Sequence, residues 1–173
     1  MTSRILGLDI STSCTGYCVL ERDGTLVELG HIKLDKIETF SAKCVAVREK
    51  LIELNVKYQI TDVSIEQNLQ AFRPGLSSAS TINTLARFNG AISFICFDTL
   101  KTEPIFINAI KSRTSLGIKI DYKDKTRSTK DKIHEWVSGQ IVFDWPKTKT
   151  GSLKTCCYDM ADSYVIARSA ILV

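Results

Sequence analysis

Four carboxylates in this sequence sit in apolar surroundings where a lone acid is costly. Asp9 lies between Leu8 and Ile10, Glu66 follows Val63 and Ile65, and Asp159 and Asp162 fall within CYDMADSYVIA. A buried carboxylate without a cation costs several kcal/mol, so acids on apolar elements want a shared positive partner. Asp159 and Asp162 are three residues apart and would share one face of a helix. Either one alone is equally well explained as an acid favoured near a helix start. All four together favour a metal site, and oxygen-only donors select hard cations, Mg²⁺ or Mn²⁺ rather than zinc.

The elements that must position these acids are legible from periodicity. RILGLDI (4–10), TGYCVLE (15–21) and TLVELGHIKL (25–34) are β-type runs separated by turn residues, a three-strand meander. Phe40, Cys44, Val47, Leu51, Leu54 and Tyr58 recur at helical spacing and mark one apolar helix face. DVSIEQ follows as a strand. A second long helix is expected over 77–97, with Ile82, Leu85, Phe88, Ile92 and Ile95 as core positions. Gly90 inside it would cost about 1 kcal/mol against Ala, which suggests a backbone packed close by. EPIFIN reads as a fifth strand, INAIKSRT as a short helix, 125–138 as another, and about 155–172 as the last. This order gives a mixed sheet with helices packed on it. If the first and fourth strands are parallel neighbours, Asp9 and Glu66 leave the sheet at the same edge.

The chain's 173 residues suit a single domain with a sizeable core. Its six cysteines form no CxxC pair and lack zinc-ligand spacing, so they are read as reduced thiols, mostly in the core, in an intracellular setting. A strand begins within four residues of the start, leaving no room for a signal peptide, and no apolar run is long enough to span a membrane. A soluble, cytoplasmic protein of bacterial, phage or viral origin is expected. Net charge is +4, but 111–154 carries 11 Lys and Arg against 5 Asp and Glu. That imbalance fits either a solvated face or a polyanion-binding surface.

GLDISTSCTG (7–16) leaves its own alternatives open. A strand delivering an acid to a hydroxyl-rich turn is the phosphate-holding device of sugar kinases, actin and chaperone ATPases. Those need two such domains, and neither a glycine-rich adenosine motif nor GxxxxGK[ST] is present here, so no nucleotide cofactor is expected. Taken alone, the turn's hydroxyls and backbone amides are candidates to position a phosphate or a metal.

The fuller pattern is GLDIS, then IEQ, LARFNGAI, IKSRTSLG and finally DMADSYVIA, in that order across nearly the whole chain. It closely resembles the RuvC family of Holliday junction resolvases. The resemblance implies one RuvC-like nuclease domain over 1–173, with a ribonuclease H-like mixed five-stranded sheet and helices on both faces. It implies that Asp9, Glu66, Asp159 and Asp162 hold two metal ions for in-line hydrolysis of a phosphodiester, leaving 5′-phosphate and 3′-hydroxyl ends. Lys130 matches one family lysine, and the other falls at Lys111 or Arg113, since IKSRTSLG carries an extra residue. Lys125 and Arg127 are further candidate DNA contacts. The family places an aromatic wedge three residues past its glutamate; that position is Leu69 here, with Phe72 and Arg73 nearby, and these three would either press against bases or anchor the loop. A homodimer acting on four-way junction DNA is implied, its interface sought on the helix over 77–97 that carries Phe94 and Phe97. Two readings stay beside it: a less selective nuclease on branched DNA or RNA–DNA hybrids, and a nucleotide-binding fragment or inactive DNA-binding relative. His134 is expected at the surface or on a phosphate, and Trp136 and Trp145 in a core or a dimer contact.

Overall fold

The computed structural model describes residues 3–67, 79–121, 123–124 and 126–172. Leu69, Phe72, Arg73 and Lys125, and the expected helix start at 77, lie outside the described residues. The strands are β1 (Arg4–Asp9), β2 (Cys14–Glu21), β3 (Leu26–Lys33), β4 (Asp62–Glu66) and β5 (Ile105–Ile107). The helices are α1 (Phe40–Tyr58), α2 (Ala79–Leu100), α3 (Ala109–Ser115), α4 (Thr129–Gln140) and α5 (Cys156–Ala170). The sheet order is β3-β2-β1-β4-β5, antiparallel through the meander and parallel from β1 to β4 and from β4 to β5.

Period-two alternation assigns each strand residue to one of two cores. Leu6, Leu8, Tyr17, Val19, Val63 and Ile65 face α1 and α2, where Val47, Leu51, Leu54, Phe88 and Ile92 complete one layer. Ile5, Cys18, Leu20 and Leu29 face the other way and pack with α4 and α5. Helices therefore cover both faces, as the resemblance implied. The expected helix faces hold in their central turns. At the ends they are half exposed: Ile82, Leu85 and Ile95 are only partly buried, and Phe40 is exposed.

Two other sequence expectations are overturned. Gly90 is exposed, and a Cβ there would meet nothing within 4 Å, so no backbone among the described residues packs against it. His134 is buried, not at the surface, because α4 turns it inward onto Trp145 with ring centroids 4.3 Å apart. Trp145 is a core residue and Trp136 packs partly against the same layer. Among the described residues the cysteines are all free thiols, four of them buried.

The glycines that matter to α5 are in the sheet. Gly7 in β1 lies under α5: a Cβ there would stand 2.5 Å from the Ser163 carbonyl oxygen and 2.6 Å from the Ala167 amide. At Gly16 in β2 an added Cβ would fall onto the Asp159 carbonyl. The bare backbone at these two points lets α5 sit directly on β1 and β2. Gly16→Ala is expected to destabilise by about 1–3 kcal/mol or more through overpacking, a drop in Tm of roughly 3–10 °C. Gly139→Ala, where a side chain meets open space, is expected to be neutral or stabilising. Thermal melts compare the two, and a Gly16→Ala protein melting with the wild type would refute the close approach.

Candidate functional site

The parallel β1–β4 pair runs in register from Ile5↔Asp62 to Leu8↔Ile65. One step further, Asp9 and Glu66 end adjacent strands at the same edge. Both belong to the alternation that faces α5, so both emerge beneath the start of that helix. Gly16 is the register partner of Asp9 and the residue on which the Asp159 backbone rests. One ladder position thus joins the first acid to the third. Asp162 follows on the same face of α5, one helical turn on. Asp9, Glu66, Asp159 and Lys130 line a cavity of about 340 Å³, with Ser11 and Gln67 at its wall and Ile82 and Leu85 of α2 opposite.

Lys130 is held there by its neighbours. Ser128 and Asp131 form a reciprocal capping box at the start of α4, and Tyr158 of α5 donates to Asp131 at 2.7 Å. This strut fixes α4 against α5, and Lys130 donates to Asp159 at 3.4 Å. On the other flank, Asn108 caps α3 through the amides of Ile110 and Lys111. That orientation brings Arg113 to 3.9 Å from Asp162. Lys111 is exposed and forms no ion pair among the described residues, and Arg127 pairs with Glu135 on the outside of α4. Of the two residues left open by IKSRTSLG, Arg113 is the one that reaches the acids.

The electrostatics are those of too many carboxylates in too little water. Asp9 is pushed well above the usual carboxylate range by burial, then by Glu66, Asp162 and Asp159, with Lys130 opposing. Glu66 rises to about 7 through burial and the charge of Asp162, against the pull of Arg113 and Lys130. Burial lifts Asp162 to about 6 although Arg113 and Lys130 pull it down. Burial works against the Lys130 ammonium, yet Asp159, Asp162 and Asp9 together hold its pKa above the ordinary value.

Such a cluster is chemically suited to divalent cations, which would relieve repulsion that two side-chain cations do not. The side chains are not closed around a common point: among the described residues no three His, Cys, Asp or Glu are arranged to hold an ion as they stand. Asp159 and Asp162 are turned instead toward Lys130 and Arg113.

The STSC turn is self-contained. The Ser11 hydroxyl accepts from the amides of Ser13 and Cys14, and Thr15 donates back to the Ser11 carbonyl. Two of the amides expected to serve a phosphate are therefore already used; the Ser11 and Ser13 hydroxyls still border the cavity. Sequence reasoning missed Gly7 and Gly16, and also Asn89, whose buried amide donates to the Glu66 carbonyl at 3.2 Å and ties the end of β4 to α2. An amide on an otherwise apolar helix stripe was the available signal.

These shifts predict how stability varies with pH. Glu66 and Asp162 start from 4.5 and 3.8 and reach about 7 and about 6 in the fold. The folded state then binds more protons than the unfolded chain, so their contribution is complete below those starting values and is lost as pH rises through 6 to 7. In EDTA the Tm is expected to fall from pH 5 to pH 8, a window clear of Asp124, which titrates at about 2. Glu66→Gln should raise the Tm at pH 8 and flatten the profile. A profile that rises across this window in wild type would contradict the cluster's electrostatics.

No protein-family model matches the chain. It is 38% identical over 93 residues to the crossover junction endodeoxyribonuclease RuvC of Aliarcobacter butzleri, covering 52% of this chain and 56% of that protein. The corresponding protein of a Sulfurovum species is 34% identical over 92 residues, 51% of this chain and 54% of the relative. That of Campylobacter hominis is 29% identical over 133 residues, covering 75% and 76%. The match thus spans little more than half the length of the first two. Among solved structures, Thermus thermophilus RuvC in complex with a Holliday junction substrate superposes with TM-score 0.63 at 13% identity, covering 98% of this chain and 93% of that one. The yeast mitochondrial Holliday junction resolvase Ydc2 gives 0.61 at 16% identity, covering 98% and 78%. These structural likenesses establish a fold shared with the solved Holliday junction resolvases, and in sequence the chain is similar to curated RuvC proteins over half to three quarters of its length.

Proposed function

We propose that this chain is a metal-dependent endonuclease that cuts four-way DNA junctions as a homodimer, each copy acting as one nuclease domain of an intracellular, cytoplasmic protein. The observation that carries this reading is the convergence of Asp9, Glu66, Asp159 and Asp162, from three elements, on one sheet edge, where burial and mutual repulsion raise the carboxyls of Asp9, Glu66 and Asp162. These four residues would hold two Mg²⁺ ions, or Mn²⁺ in their place, in each active site. When bound, such ions lower the pKa of water and stabilise the departing oxygen of a phosphodiester.

The chain's own residues then do the rest. Asp9 and Glu66, fixed by adjacent parallel strands, form the rigid wall of the site. Asp159 and Asp162 ride on a helix locked to the sheet, where they pair with Lys130 and Arg113 and would hold metal in their place. The Lys130 ammonium and the Arg113 guanidinium would then be available beside the same cavity to meet a phosphate oxygen. The partly buried Ile82 and Leu85 border the cavity and limit water on that side.

Two symmetric nicks across a junction call for two sites related by a twofold axis. The outer face of α2 supports that arrangement: Phe94 and Phe97 are 68% and 47% exposed, and Gly90, four residues before Phe94, leaves open space beside them. No described helix is long and apolar enough to cross a membrane, so an apolar stripe of this kind is a candidate for a second copy.

The function is tested on a synthetic four-way junction, a fork and an RNA–DNA hybrid, with Mg²⁺, Mn²⁺ or EDTA. Paired nicks in the junction that require metal, and a loss of about 100-fold or more in Asp162→Asn with binding retained, are expected. Equal cleavage of all three substrates would replace junction selectivity with general nuclease activity. Phe94→Glu is expected to yield a monomer by sedimentation and to uncouple the two nicks. A wild type that sediments as a monomer would remove the dimer.

A further inference from the structure

The cavity at the acids does not end there. Beyond Lys130 and Asp159 it opens into a second groove of about 770 Å³. Ser13, Lys130 and Asp159 line both spaces, so one ion pair stands at the boundary between them. The floor of this second groove is β3, where the alternation that buries Leu29 on the α5 side also sends His31 and Lys33 there.

Its far wall is a short hairpin over 146–155. Lys147 bridges Leu153, the Thr148 amide donates to the Ser152 carbonyl at 2.7 Å, and the Lys154 amide donates to the Pro146 carbonyl at 3.0 Å. Gly151 turns the tip at φ +86°. The base is anchored in the core through Leu153 and Trp145, and Cys157 donates its thiol to the Pro146 carbonyl at 3.2 Å. A loop fixed this firmly presents its polar residues at a set place: Thr148 and Lys154 line the groove, and Lys147 and Lys149 are exposed beside it.

These cations have little to satisfy them. Among the described residues Lys147, Lys149 and Lys154 make no ion pair, and Lys33 reaches Asp35 only at 3.9 Å with its side chain 62% exposed. None of the four serves the packing of the fold. From β4 to β3 is three strand spacings, about 14 Å, the axial length of about four phosphates of one strand.

We infer that this groove, between Lys33 of β3 and the 146–155 hairpin, carries the DNA strand continuing from the catalytic cavity, with Lys33 and Lys154 as direct phosphate contacts. The inference rests on the nuclease reading above and adds a path to it: the strand passes over the Lys130–Asp159 pair, and the hairpin guides it on the side away from α2. Hydroxyls of Ser13, Thr148 and Thr155 along the groove supply the neutral donors that accompany lysines on a phosphate backbone.

The test is junction binding by fluorescence anisotropy in EDTA, across about 50–200 mM salt. It compares wild type, the double variant Lys33→Ala/Lys154→Ala, and Lys101→Ala, a paired surface lysine preceding β5 at the opposite edge of the sheet. Loss of two phosphate contacts should reduce the slope of log K against log salt by about 1.8 and raise Kd about tenfold or more near 100 mM. Lys101→Ala should match wild type, and thermal melts confirm that all three are folded. A double variant with wild-type slope and a Kd within twofold of Lys101→Ala overturns the groove and leaves the nuclease reading standing. A wild type that neither binds nor cuts the junction overturns both.

Discussion

The close seating of α5 on β1 and β2 is the constraint from which the site follows. Helix backbone meets strand backbone at Gly7 and Gly16, with no side chain between. A helix packed at the usual side-chain distance would leave Asp159 and Asp162 too far from the sheet edge to join Asp9. The same contact explains why so much of α5 is buried. Met160, Ala161, Tyr164, Val165 and Ala167 close the layer above the sheet, and Asp159 in the first turn lines the cavity. Backbone freedom in two strands is thus exchanged for placement of two carboxylates on a helix.

The cost of that placement is electrostatic. Carboxylates withdrawn from water and set beside one another oppose folding at neutral pH, and the molecule offsets this with one cation on each flank. Lys130 comes from the capped start of α4 and Arg113 from α3, so none of the three acid-bearing elements supplies these counter-charges. Each of these two ion pairs joins a buried or half-buried acid to a cation from a separate element, so neither partner is left as an unmatched charge. Stability and function pull the same residues in opposite directions here, as is usual where acids are gathered.

The element order, the meander and the four acids were legible because each depends on local pattern: alternation in the strands, 3.6-residue periodicity in α1, and acids embedded in apolar runs. Arg113 could not be chosen over Lys111 from spacing, since the choice depends on how the Asn108 cap rotates α3. His134 was misplaced because its neighbours in sequence are polar, whereas the helix turns it inward onto Trp145. Gly90 and Gly16 make the clearest contrast. A glycine in a helix invited a packing explanation that the fold does not supply, and a glycine in a strand went unremarked although α5 rests on it. The Ser11 turn is intermediate: its residue types suggested donors for a ligand, whereas in the fold the Ser11 hydroxyl already accepts from the Ser13 and Cys14 amides.

The position of α5 in the chain has a consequence for synthesis. Asp9 emerges from the ribosome well before the helix that completes its surroundings, which begins at Cys156. At about 5–20 residues per second, roughly 7–30 s separate the first acid from the third. During that interval the meander, α1 and β4 can form, but Gly7 and Gly16 face an unfilled layer and Asp9 lacks Asp159 and Asp162. The nascent chain therefore holds no assembled site, and any capacity to cut DNA is withheld until the last helix docks.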